Sequence, residues 1–149
     1  MTYPYTRYLT AKRSVDDRAL NRHVLAEVAR VLPPGGRFAF TVEEGTPLTT
    51  AERALMPDTD TVWPIPLPEL ADLLRDVGLV VTWLEQWTAA HASTAAALLT
   101  AFRSHGDDIA ARIGVAALAD LIASHELWTD WLGRGRVRKF AVVAERRCG

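Results

Sequence analysis

Leu25-Ala26-Glu27-Val28-Ala29-Arg30-Val31-Leu32-Pro33-Pro34-Gly35-Gly36-Arg37-Phe38-Ala39-Phe40-Thr41 is the stretch on which the fold turns. Leu20, Val24, Val28 and Val31 recur at helical spacing and predict an amphipathic helix with a core-facing stripe, running to Leu32. Ser14, with Asp17 three residues later, reads as a variant capping box at its start. Pro33 and Pro34 end the helix because neither can donate to its ladder. Gly35-Gly36 turns the chain, and Phe38, Phe40 and Val42 then alternate with Arg37, Ala39 and Thr41, the period of a strand.

Upstream of this run, Tyr3, Tyr5, Tyr8 and Leu9 give strand-like aromatic content. Downstream, Glu43 to Pro68 is irregular and carries Pro47, Pro57, Pro64, Pro66 and Pro68. Thr49 with Glu52 predicts a short capped helix there. Trp63 to Pro68 should be extended, since each residue before a proline is pushed out of the helical region. Pro68 suits a helix's first turn; Leu70, Leu73, Leu74 and Val77 supply its stripe and Gly78 its left-handed end. A second strand follows over Leu79 to Trp87. Residues 88–135 turn alanine-rich and helical, and Arg136 to Glu145 return to strand with Phe140, Val142 and Ala144 on one face.

The 149 residues form one domain, 1–149, with 88–135 as a helical lid insertion. The 17 Lys and Arg against 18 Asp and Glu give no argument for nucleic acid or an anionic membrane as partner. No apolar run reaches membrane-spanning length and the start lacks a signal-peptide core, so a cytoplasmic protein is expected. The single cysteine, Cys148, allows no intrachain disulfide. The histidines, never closer than fourteen residues, show no metal-ligand spacing, and no metal site is expected.

Leu25-x-Glu27-x-x-Arg30-Val31-Leu32-x-Pro34-Gly35-Gly36 resembles the helix–turn–strand in the second half of class I S-adenosylmethionine (SAM)-dependent methyltransferases. The resemblance covers about Asp17 to Glu145 and implies an α/β fold: a partial Rossmann-like methyltransferase sheet with flanking helices. It implies that the last strand inserts antiparallel between the two before it. The helical insertion ahead of that strand, ending Trp128-x-x-Trp131-x-Gly133-Arg134-Gly135, is similar to those covering the substrate in small-molecule, including secondary-metabolite, methyltransferases. One element of the family is missing from these residues: no G-x-G-x-x-G or similar loop follows a strand. Gly35-Gly36 follows a helix and serves a turn.

The resemblance therefore implies a methyltransferase-like subunit or partial domain that provides an acceptor pocket and binds no SAM alone, the cofactor being held by a partner. Two other readings stand beside it: a SAM-independent binding protein or cyclase on a degenerate methyltransferase fold, and a noncatalytic partner of a full-length methyltransferase. A sheet continued beyond its first strand implies a homodimer or a hetero-oligomer with a methyltransferase subunit.

For chemistry, His125 lies on the apolar stripe of the longest lid helix and is a candidate general base toward a bound hydroxyl. The commoner fate of such a residue is a bond to a backbone carbonyl, and Glu126 beside it points elsewhere. His91 and His105 fall at the two ends of a lid helix, and His23 on a solvated face. Asp16-Asp17 and Asp107-Asp108 are explained by helix N-termini. Trp63, Trp83, Trp87, Trp128 and Trp131 are read both as core and as the lining of an apolar pocket for a hydrophobic organic substrate. Calorimetric titration of the isolated chain with SAM is expected to give no one-to-one isotherm in the micromolar range; such an isotherm would sink the partner-dependent reading.

Overall fold

The computed structural model describes residues 17–58, 60 and 62–148, with side chains from Asn21 onward. Tyr3, Tyr5, Tyr8, Leu9, Ser14 and Asp16, and the side chain of Leu20, lie outside the described residues. The elements in chain order are α1 (Asp17–Val31), β1 (Arg37–Glu44), α2 (Thr50–Leu55), α3 (Leu67–Asp76), β2 (Leu79–Gln86), α4 (Thr88–Ser104), α5 (Gly106–Ile113), α6 (Val115–Gly133) and β3 (Arg138–Arg146). The sheet order is β1-β3-β2. Gly35 N–H donates to Arg146 O at 2.9 Å, Arg147 N–H to Gly78 O at 3.1 Å and Trp87 N–H to Lys139 O at 2.8 Å. The end of β3 thus meets the starts of β1 and β2, and its start meets the end of β2, so β3 is antiparallel to both. Among the described residues no helix is long and apolar enough to cross a membrane.

The chain divides into two compact units, and each strand is shared between them. The first holds residues up to Phe40, then Pro66–Leu84 and Val142–Gly149. In it α1 packs on α3. The buried side chains are Leu25 and Ala29 of α1, Leu70, Leu73 and Leu74 of α3, Leu79 of β2, and Val142 and Ala144 of β3. This corrects the expected stripe on α1: Val24 and Val31 are 46% and 65% exposed, and the helix is turned so that Leu25 and Ala29 face α3. The sequence of α1 offers two overlapping apolar faces of equal spacing, and packing selects one. The turn into β1 is as expected. Gly35 has φ +75°, and a Cβ on Gly36 would stand 2.8 Å from Pro33 O. Arg146 closes the turn, its backbone pairing with both glycines and its guanidinium donating to Leu32 O.

The second unit holds Thr41–Ile65 and Glu85–Ala141. Its core gathers Leu48, Ala95, Trp128, Trp131, Leu132 and Val137, with Met56, Val62, Ala92 and Leu127 packed against them. Thr49 caps α2 through the expected box: its hydroxyl accepts from Glu52 N–H at 3.2 Å, and Glu52 accepts from Thr49 N–H at 2.8 Å. Glu52 also receives the Arg136 guanidinium on both carboxylate oxygens, and Arg136 donates further to the Thr46 and Pro47 carbonyls. One arginine thereby ties the segment leading into β3 to α2 and the loop after β1. Arg136 first, then the Thr49 backbone N–H, holds the Glu52 carboxyl down at about 2.

Each unit yields an expected outcome. Leu74 is fully buried, so Leu74→Ala should cost about 2–5 kcal/mol in denaturant unfolding, whereas Val31→Ala should change stability by less than about 0.5 kcal/mol. Because the Glu52 carboxyl is lower in the folded chain than its ordinary 4.5, its contribution is complete above that value and is lost as pH falls toward about 2. Thermal melts should therefore show the gap between wild type and Glu52→Gln closing over that interval. A constant gap would mean that the carboxylate charge is not what holds Arg136.

Candidate functional site

In sheets with parallel neighbours, ligands are held at the carboxyl ends of the strands. In the second unit that end of β1 carries Glu43 and Glu44, and the end of β2 leads through Trp87 into α4. β3, running the other way, starts there with Arg138 and Lys139. Glu44 accepts from Arg138 Nε at 2.7 Å, and Glu43 is paired with the Lys139 ammonium. Both partners of the Glu43–Lys139 pair are largely buried, with side chains 21% and 13% exposed. Such a pair persists only where each charge answers the other.

The first turn of α4 is fastened at the same place. Lys139 O accepts from Trp87 N–H, and Lys139 N–H donates to Thr88 Oγ1 at 3.0 Å. Gln86 Nε2 reaches the same hydroxyl at 3.2 Å. His91, three residues after Thr88, is half-buried. Its imidazole is pushed below the ordinary 6.5, first by burial, then by the Lys139 charge, with Glu43 opposing and His125 adding to the depression. Four ionisable groups from β1, α4, α6 and β3 thus share one neighbourhood. Among the described residues no three His, Cys, Asp or Glu side chains converge as a metal-ligating group.

His125 of α6 lies 2.7 Å through Nδ1 from Leu121 O. A carbonyl only accepts, so Nδ1 donates this bond, and in the neutral ring the lone pair lies on Nε2. The ring meets Phe102 edge-on at 4.9 Å. Glu126 turns away to pair with Arg103. His105 caps the end of α4 and the start of α5, Asp107 and Asp108 lie in the first turn of α5, and His23 is exposed.

The tryptophans differ in burial. Trp128 and Trp131 pack edge to face at 5.7 Å and are 8% and 1% exposed, inside the core of the second unit. Trp128 donates from Nε1 to Asp60 Oδ2 at 3.1 Å, and Ser124 donates to the same oxygen at 2.7 Å. Trp63 is half-buried in that unit. Trp87, 44% exposed, opens α4, and Trp83, equally exposed, belongs to the first unit.

The sequence reading passed over Glu43, Lys139 and His91 as a group. The signal was present: an acidic pair closing one strand, a basic pair opening the last, and a histidine in the first turn after the middle one. What was lacking was the antiparallel insertion that brings residues 43 and 139 side by side.

The glycines bear on the cofactor. Gly35 N–H is given to Arg146 O and Gly36 N–H to Pro33 O at 2.8 Å, while Gly135 N–H is given to Leu132 O at 3.2 Å. These N–H groups are committed to turn or cross-strand bonds and do not fit a cofactor-cradling loop.

No family model and no curated protein sequence matches the chain. Solved structures do. The cyclopropane synthase MmaA2 of Mycobacterium tuberculosis aligns with TM-score 0.72 at 13% identity, over 87% of this chain and 50% of that one. A phosphoethanolamine N-methyltransferase 2 of Haemonchus contortus, solved with phosphomonomethylethanolamine and S-adenosylhomocysteine, aligns with TM-score 0.69 at 12% identity, over 85% and 30%. The [4+2]-cyclase SpnF aligns with TM-score 0.64 at 18% identity, over 86% and 44%. The chain spans half or less of the length of each of these three, and at such identities the likeness establishes fold. β3 runs antiparallel between β1 and β2, with helices α4 to α6 ahead of it, as the family resemblance implied. In fold, the chain is Rossmann-like and is similar to the corresponding part of SAM-dependent methyltransferase structures.

Proposed function

We propose that this chain forms the acceptor side of a small-molecule methyltransferase of secondary-metabolite chemistry, and that SAM is held by a glycine-rich half outside these residues. The observation that carries the reading is the pairing of a methyltransferase-like sheet with glycine N–H groups that are already spent in turn and cross-strand bonds. The valine face of α1, open at Val24 and Val31, supports it, because apolar surface of this kind is what another part of a domain covers. The acceptor is placed in the second unit, beside Glu43 and Lys139. There His125 is positioned to take a proton from a hydroxyl through Nε2, and Trp63 and Trp87 offer apolar surface to a hydrophobic substrate. Trp128 and Trp131 shape that region from within the core.

The cyclase reading has one observation of its own, the likeness to SpnF. In it the chain would bind a hydrophobic substrate without SAM and act by shape.

Immunoprecipitation from the native host separates the two. The methyltransferase reading expects a retrieved species, a longer polypeptide or a complex with a second one, that contains a strand followed by a glycine-rich loop and binds SAM one-to-one. Retrieval of the 149-residue chain alone, sedimenting as a monomer and binding no SAM, would overturn it and leave the cyclase reading.

A further inference from the structure

We propose that the first turn of α4 is a proton-operated clasp, in which proton uptake by His91 loosens that turn from Lys139 of β3. Position supplies the first part of the argument. The turn is held to β3 at a single residue, through Trp87 N–H on Lys139 O at 2.8 Å and Lys139 N–H on Thr88 Oγ1 at 3.0 Å. His91 N–H closes the same turn on Trp87 O at 2.9 Å. His91 thus belongs to the turn that these two bonds fasten to the strand.

The second part is the set of charges His91 faces. From β3 comes the Lys139 ammonium, from α6 the His125 ring and from β1 the Glu43 carboxylate. Glu43 is the one attractive partner, and Lys139 already occupies it. A protonated His91 would stand beside a buried ammonium, at the end of α4 where the helix dipole is positive, in a half-buried setting. Turning outward into water, it escapes all three penalties. The imidazole's depression in the closed clasp agrees with this arrangement.

The direction with pH follows from linkage. The open turn binds a proton near the ordinary 6.5 and the closed turn binds it only at lower pH. The closed clasp is therefore fully favoured above that value, and opening grows by up to tenfold for each pH unit below it, until the closed form is protonated as well. Since α4 is the first helix of the insertion between β2 and β3, the clasp sets how firmly that insertion is joined to the strand end beside Glu43 and Lys139.

Hydrogen exchange on the 149-residue chain, corrected for the pH dependence of the chemical step, tests this at the Trp87, His91 and Lys139 amides. Protection should fall by up to about fivefold between pH 6.5 and 5.5, while amides of the α6 core at Trp131 and Leu132 stay unchanged. His91→Gln, neutral at every pH, should abolish the fall. His91→Asn provides the same comparison if the glutamine variant folds poorly. Lys139→Met should raise the His91 midpoint in an NMR titration by removing a repelling charge and freeing Glu43. Flat wild-type protection across this interval, an equal fall in the His91 variants, or a His91 midpoint at or above 6.5 would each overturn the clasp.

Discussion

A strand placed between two others must satisfy its N–H and C=O groups on both sides, and most of this structure can be read as the means by which β3 does so. At its far end Arg146 pairs through its backbone with both Gly35 and Gly36, and Arg147 N–H reaches Gly78 O. Gly35 and Gly78 have φ of +75° and +80°, so two left-handed turns bring the starts of β1 and β2 to the same end of β3. At its near end Lys139 takes Trp87 N–H and gives its own N–H to Thr88. The residues of β3 fit that position. Phe140, Ala141, Val142 and Ala144 are all buried, and a strand covered on both faces has room for alanine on the crowded side.

The same insertion organises charge. Three acidic residues from β1 and α2, Glu43, Glu44 and Glu52, receive Lys139, Arg138 and Arg136, a basic run around the start of β3. A one-residue slip would move every one of these side chains to the wrong face, so the pairs fix register as well as neutralising one another. Within this set the Glu52–Arg136 contact is structural. The Glu43–Lys139 pair is largely buried, and His91 and His125 are close enough for their charges to interact with it or with each other.

Glycine usage in this chain serves its own turns and sheet. A loop that cradles an anionic or dinucleotide-like cofactor does so with free backbone N–H groups. The N–H groups of Gly35, Gly36 and Gly135 are all engaged by carbonyls within the chain. Likeness in fold and readiness to hold SAM are thus distinct properties, and the second is a matter of which N–H groups remain unspent.

Local rules sufficed for every element whose punctuation is written in adjacent residues. Pro33-Pro34-Gly35-Gly36 stopped α1 and turned the chain, Thr49 with Glu52 capped α2, Pro68 opened α3 and Gly78 closed it, and alternation marked β1 and β3. These signals are steric or involve hydrogen bonds within four residues, so no tertiary information was needed. The buried face of α1 was a different matter. Val24, Leu25, Val28, Ala29 and Val31 allow two faces, and only docking on α3 chose Leu25 and Ala29. The tryptophans likewise divided between core and surface according to neighbours distant in sequence. Glu43 and Lys139 lie ninety-six residues apart, and their meeting beside His91 depends on β3 entering between strands that precede it. Sequence determined the elements because their causes are short-range; tertiary structure decided the faces and the site because burial and Coulomb interactions act through space.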